Sequence, residues 1–195
     1  FGYTQMAAAA QRPPHLKCIC PFQNSALHPF SITKANTMGI FHLMWLYGRV
    51  LENLDRGTLT EAEQSEVRDT IRYYQKNWND VMLRLPIRDT EAARIKNAPL
   101  LMDFIDLVDG VEDEAYWQQS HRPVDIAKID IPMFFLTGWF DAARDDTLDN
   151  YAEIMQNGTE KGKRKSRLVI GPWLHGGMMN STIDGVDFGS GNSGK

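Results

Sequence analysis

Pro132-Met133-Phe134-Phe135-Leu136-Thr137-Gly138-Trp139-Phe140-Asp141 carries a nearly unbroken apolar run, closed by a glycine and followed by two aromatics and a carboxylate. The run shows no alternation of polar and apolar positions. A strand buried on both faces has this texture, because neither side of its pleat meets water. Such strands belong to parallel sheets covered by helices. A helix is expected next, from about Ala143 to Gln156, and Arg167-Leu168-Val169-Ile170 then repeats the apolar run before Gly171-Pro172. Strand, helix, strand on this scale predicts a βαβ unit of two parallel neighbours, right-handed by the chirality of strand twist.

Upstream, Gly2 to Ala10 is Ala-rich and predicts a helix, ended by Pro13-Pro14. Leu16-Lys17-Cys18-Ile19-Cys20-Pro21 then predicts a short buried strand. From about Ile32 to Gln119 the apolar residues follow helical spacing. Helices are expected over Met38 to Leu54 and over Thr60 to Leu85, the second begun by a Thr60-Glu61-Ala62-Glu63 capping box. Shorter pieces are expected near Leu100 and Tyr116. The fold class is therefore α/β, with parts of one parallel sheet at 1–30 and 126–195 and a mostly helical cap inserted at 31–125, over the strand ends.

Charge and composition exclude several classes of function. The 195 residues hold 21 Lys and Arg against 25 Asp and Glu, a net charge of -4, so nucleic acid is not an expected partner. The one basic cluster, Lys161 to Arg167, predicts a solvated loop. The most apolar helical stretch, Met38 to Tyr47, is broken by Gly39 and His42 and falls well short of the ~20 residues of a membrane span. Cys18 and Cys20 lack the further Cys or Cys/His pair of a zinc site and are expected to be buried small apolar residues. Gly189-Ser190-Gly191-Asn192-Ser193-Gly194-Lys195 imitates a phosphate-binding loop, but it lacks a buried strand before it and a Ser or Thr after Lys195. Asp184 and Asp187, without an alternating acidic ladder, are expected to be turn residues rather than calcium ligands. No metal or organic cofactor is expected.

Two side chains lie where parallel sheets place their chemistry, beyond the carboxyl ends of strands. Asp141 follows Gly138 by three residues, and His175 follows Gly171 by four. A carboxylate that holds a histidine in one tautomer lets the imidazole take a proton from a hydroxyl, and Asp before His is one of the chain orders in which such triads occur. Each residue also has a plainer reading, Asp141 as a helix N-cap and His175 as a structural residue among glycines. No serine of the chain sits in Gly-x-Ser-x-Gly.

Gly138-Trp139-Phe140-Asp141 and Gly171-Pro172-Trp173-Leu174-His175 resemble the acid and base motifs of the cocaine esterase and X-prolyl dipeptidyl-peptidase superfamily of serine hydrolases. Phe1-Gly2-Tyr3-Thr4-Gln5 is similar to the segment just after the nucleophile in Gly-x-Ser-Tyr-x-Gly-x-x-Gln. Leu16 to Pro21 is similar to the following strand, and Ala115-Tyr116-Trp117 to an aromatic pair before the acid strand. The resemblance implies a partial α/β-hydrolase fold with a helical cap, Asp141 as catalytic acid and His175 as base. It places the nucleophilic serine two residues before Phe1, so the chain is expected to be an internal fragment, inactive alone and also without the oxyanion-hole groups. The ends agree with that expectation: Phe1 is not an initiator Met, and no closing element is expected after Gly176.

The implied partner is a small-molecule ester or a short peptide, an X-Pro peptide among them, with the ester slightly favoured. Trp139, Phe140 and Trp173 are the candidate substrate-binding residues, whereas Trp45 and Tyr47 are expected to be core. The alternative is a non-catalytic ligand-binding or regulatory module on the same scaffold.

Overall fold

The apolar run does open a strand, β1 (Phe134–Phe140), which pairs in parallel with β2 (Arg167–Leu174) in a register running from Phe134 opposite Arg167 to Gly138 opposite Gly171. Met133 and Phe135 turn into a core shared with Met6, Ala9, Ile129 and Ile154. Phe134 on the other face is 39% exposed and Leu136 half-buried, so the burial expected on both faces is complete only on one. These facts come from a computed structural model, which describes residues 2–24, 41–109, 115, 124–178 and 180–192. The chain forms two compact units, Phe1–Ala35 with Trp117–Lys195, and Asn36–Tyr116.

In the first unit, α1 (Gly2–Ala10) is followed by a segment along the free edge of β1. The strand expected over Leu16 to Pro21 is reduced there to two isolated parallel bridges, Ile19 with Met133 and Phe22 with Leu136. Pro21 supplies the reason. The ladder step between the bridges falls on its nitrogen, which has no hydrogen to donate. Cys18 and Cys20 are exposed, contrary to expectation. Strand alternation gives the buried side to Ile19, and no described element covers the face the two thiols share.

The crossover from β1 to β2 is α6 (Arg144–Asn157), and a second helix, α7 (Glu160–Lys165), occupies most of the basic run expected to be a loop. Thr159 caps it by accepting from the Gly162 N–H, Glu160 lies in its first turn and Lys163, Arg164 and Lys165 in its last, the charge order that the helix dipole favours. The tail corrects the reading in a second place. β3 (Thr182–Ile183) and β4 (Val186–Asp187) form a hairpin whose turn, Asp184-Gly185, has φ of 48 and 81° at its two residues. Asp-Gly is a hairpin signal in its own right. Asp187 is thus a strand residue, accepting from the Gly189 N–H at 2.8 Å. The last residues of the glycine-rich run, 193–195, lie outside the described residues.

The second unit is built from α2 (Phe41–Asn53), α3 (Glu61–Lys76), α4 (Trp78–Met82) and α5 (Met102–Asp109), with short 3-10 turns between them. Among its described residues there is no strand. Leu43, Leu46, Tyr47 and Val50 make the i, i+3, i+4, i+7 stripe of α2 and pack on Val67, Ile71, Leu101 and Phe104. Tyr47 is fully buried and donates its hydroxyl to the Ala92 carbonyl at 2.6 Å, and burial pushes its phenol far above the usual range. Trp45 falls off that stripe. It is 46% exposed beneath the Arg49 guanidinium rather than in the core. The single helix expected to Leu85 stops at Lys76, because Asn77 leaves the helical backbone at φ -105° and ψ 33°, with its side-chain amide donating to the Tyr73 carbonyl at 2.8 Å. The piece expected near Tyr116 falls outside the described residues. Among those described, no helix is long and apolar enough to cross a membrane.

The capping box at Thr60 is present: the Thr60 N–H donates to the Glu63 carboxylate at 2.8 Å, and the Glu63 N–H to the Thr60 hydroxyl at 3.3 Å. The hydrogen bond from the Thr60 backbone, then that from its hydroxyl, holds the Glu63 carboxyl below its usual value of 4.5. A depressed carboxyl contributes stability above its unfolded pKa and loses it as pH falls through the folded one. Thr60→Ala is therefore expected to lower the Tm of the helical unit by a few degrees at neutral pH. The deficit should shrink between pH 4.5 and the lowered folded value. Thermal melts at both pH values check this, and an equal deficit in acid would refute the carboxylate's part.

Candidate active site

Two glycines bring the strand ends together. A Cβ on Gly138 would sit 1.9 Å from the Trp173 carbonyl oxygen, and one on Gly171 would lie 2.5 Å from the Trp173 indole. Only hydrogen fits at either position. The register then shifts, Gly138 facing Gly171 but Phe140 facing Leu174, so β2 carries one extra residue at its end. Such an irregularity re-aims the side chains beyond it. Asp141, one residue past β1, and His175, one residue past β2, consequently meet.

The contact is direct, with His175 Nδ1 2.8 Å from Asp141 Oδ1 across 34 residues of sequence. The Asp141 side chain is fully buried, whereas that of His175 is 43% exposed. Burying a carboxylate is costly unless hydrogen bonds satisfy it, and here they do. Asp141 Oδ1 also accepts from the Ala143 N–H at 2.8 Å, and Oδ2 accepts from the Thr137 hydroxyl at 3.1 Å. A carboxylate already supplied with two donors has acceptor capacity to offer the imidazole. It holds the ring proton on Nδ1 and leaves the basic lone pair on Nε2. The pair can thus orient a proton acceptor and stabilise the imidazolium it becomes.

The loop after β1 is braced on the outside by Arg144, whose Nη1 donates to the Trp139 carbonyl at 2.9 Å while its Nε donates to Asp145. Trp139 and Phe140 are each 53% exposed next to Asp141, and the Phe140 ring lies 6.4 Å from that of Phe188. Trp173 is placed differently from the expectation. It is 6% exposed and packed on Gly171, so it shapes the crossing of the strands and presents little surface to a ligand. Gln5 also has a structural use, its Oε1 accepting from the Cys20 N–H at 3.1 Å. Phe1 lies outside the described residues, as do Tyr116 and Trp117.

A model of the X-Pro dipeptidyl-peptidase (S15) family matches residues 1–177. The chain belongs to this family. The S15 match takes in α1, the helical unit, both strands and both motifs, and it ends two residues past His175. It identifies the protein as a hydrolase of the serine peptidase or esterase type, and the parallel strands with their helices agree with part of the S15 α/β-hydrolase-like fold. No curated protein matches the chain.

Sequence reasoning missed Thr137, Arg144 and Gln23, all of which touch Asp141 or the loops that carry Asp141 and His175. Thr137 lies at the end of the apolar run, but nothing in an apolar strand marks a hydroxyl as a carboxylate partner. In the helical unit a cavity of about 850 Å³ is lined by Val50, Leu54, Leu59, Ile95 and Leu101 among others, and none of the predicted site residues borders it.

Proposed function

We propose that the parent protein cleaves ester or amide bonds through an acyl-enzyme, with His175 as the proton-transfer group, Asp141 as its orienting carboxylate and a serine N-terminal to Phe1 as nucleophile. The observation that carries this reading is the 2.8 Å contact between His175 and the buried Asp141. Nothing local in sequence brings these residues together. A histidine needed only for packing would not require a carboxylate satisfied by three hydrogen bonds and shut away from water.

In this mechanism His175 Nε2 takes the serine proton as the oxygen attacks the carbonyl carbon, and Asp141 stabilises the imidazolium that results. The imidazolium gives the proton to the leaving alkoxide or amine as the tetrahedral species collapses. Water, deprotonated by the same nitrogen, then releases the acid and regenerates the serine. Trp139 and Phe140 border the acyl or leaving group as an exposed aromatic wall. Residues 31–125 are the inserted helical cap of the hydrolase core, and the substrates are esters or short peptides, X-Pro peptides included.

The proposal is tested by pre-steady-state kinetics with an activated aryl ester. The 195-residue chain is expected to give only the background rate, and a form extended upstream through a Gly-x-Ser-Tyr segment to give a burst of one acyl group per active site. A burst from the 195-residue chain that disappears in His175→Ala would mean that the nucleophile has been misplaced.

A further inference from the structure

The backbone on both sides of His175 is held by one side chain from outside the acid and base motifs. Gln23 Nε2 donates to the Leu174 carbonyl at 2.9 Å, and Gln23 Oε1 accepts from the Gly176 N–H at 2.7 Å. The two partners fix which end of the carboxamide is which, since a carbonyl needs a donor and an N–H an acceptor. Leu174 and Gly176 also belong to one turn, closed by a hydrogen bond from the Gly177 N–H to the Leu174 carbonyl at 3.0 Å, with Gly176 at φ +73°. His175 stands at the corner of that turn.

Gln23 is itself fixed. Its N–H donates to the Leu136 carbonyl of β1 at 2.8 Å. The next residue, Asn24, donates its N–H to the Thr147 hydroxyl of α6 at 3.1 Å. Between these anchors Gln23 adopts φ +43°, a left-handed conformation that side-chain-bearing residues seldom take unless their surroundings impose it. This backbone aims the carboxamide across the strand ends to the turn that bears His175.

We infer that Gln23 is a positioning residue for the base, clamping the Leu174–Gly177 turn so that the imidazole stays against Asp141. The inference rests on the reading of His175 as the proton-transfer group. The clamp needs a donor and an acceptor at one planar end, which singles out glutamine among side chains of this length. Glutamate keeps the bond to Gly176 but sets a carboxylate against the Leu174 carbonyl. Methionine has nearly the same shape and makes neither bond.

The test is NMR on the ¹⁵N-labelled 195-residue chain, reading the hydrogen-bonded Nδ1 proton of His175, amide exchange at Gly176 and the exchange protection of β1 and β2. In Gln23→Met the Nδ1 proton signal should be lost and Gly176 exchange should rise roughly ten-fold, with β1 and β2 still protected. In Gln23→Glu, Gly176 protection should survive while the Nδ1 signal weakens. Wild-type behaviour of both probes in Gln23→Met would overturn the clamp, and so would a uniform loss of protection across β1 and β2, which marks a merely structural role. Asp141→Ala separates the two ideas. If it leaves the Nδ1 signal intact, the acid and base reading fails whatever Gln23 does, whereas loss of the signal there but not in Gln23→Met removes the clamp alone.

Discussion

Replacing His175 by Ala in the upstream-extended enzyme is expected to lower kcat for an activated ester by roughly 10⁵-fold or more, to little above the background that binding alone sustains. Asp141→Asn is expected to cost far less, roughly 10²- to 10³-fold. The difference follows from the hydrogen bonds at the acid. Asp141 Oδ1 receives both the Ala143 N–H and the His175 contact, and Oδ2 receives the Thr137 hydroxyl. An asparagine would keep its carbonyl oxygen at the first position, because the Ala143 N–H rejects an amide hydrogen there. The Thr137 hydroxyl, free to rotate, would turn to accept from the amide nitrogen. The imidazole therefore retains its Nδ1 proton and its tautomer, and what is lost is the negative charge beside the imidazolium. Two unit charges about 4 Å apart in a partly solvated site interact by about 4 kcal/mol, which sets that range. Steady-state kinetics of the two variants check the order. Equal losses would show that the introduced asparagine had turned its amide toward the ring and fixed the wrong tautomer.

How far the sequence anticipates the site depends on what kind of signal each residue leaves. The meeting of Asp141 with His175 was legible because each follows an apolar run and a glycine, and because their motifs resemble a known pair. Strand ends collect chemistry, and the two glycine-and-aromatic motifs mark which ends to read. Gln23 leaves no such trace: its role depends on a positive φ and on two backbone groups about 150 residues away, neither of which a local pattern encodes. Trp173 shows the converse. Its place beside His175 suggested a ligand contact, but the close approach at Gly138 and Gly171 turns it inward. In the fold, helices marked by an apolar stripe or a capping box were found near their expected starts, as at Thr60. The errors fell on features of one or two residues: Pro21 breaking a ladder, Asn77 ending a helix, Thr159 starting one just before a basic run, and Asp184-Gly185 turning a hairpin. Each acts through one or two hydrogen bonds or backbone dihedrals, and periodicity averages such effects away.

The strand crossing that creates the site should also dominate the response of the α/β unit to mutation. Gly138→Ala is expected to lower the Tm of the transition that melts this unit by roughly 10 °C or more, as for a core overpacking by about 3 kcal/mol. The added methyl would lie 1.9 Å from the Trp173 oxygen, 2.5 Å from its carbonyl carbon and 2.9 Å from its Cα. All three are backbone atoms, so no side-chain rotation relieves the clash. Either β2 moves away from β1 or the Trp173 peptide turns, and both displace His175 from Asp141. Gly48 supplies the opposite case. It lies within α2, a methyl there would meet nothing within 4 Å, and alanine is the better helix former by about 1 kcal/mol. Gly48→Ala should therefore raise the Tm of the helical unit by a few degrees. Calorimetric melts of both variants decide the matter. A Gly138→Ala chain that melts like the wild type would mean that the β1–β2 crossing is looser than the 1.9 Å approach implies, and the alignment of Asp141 with His175 could then no longer be attributed to it.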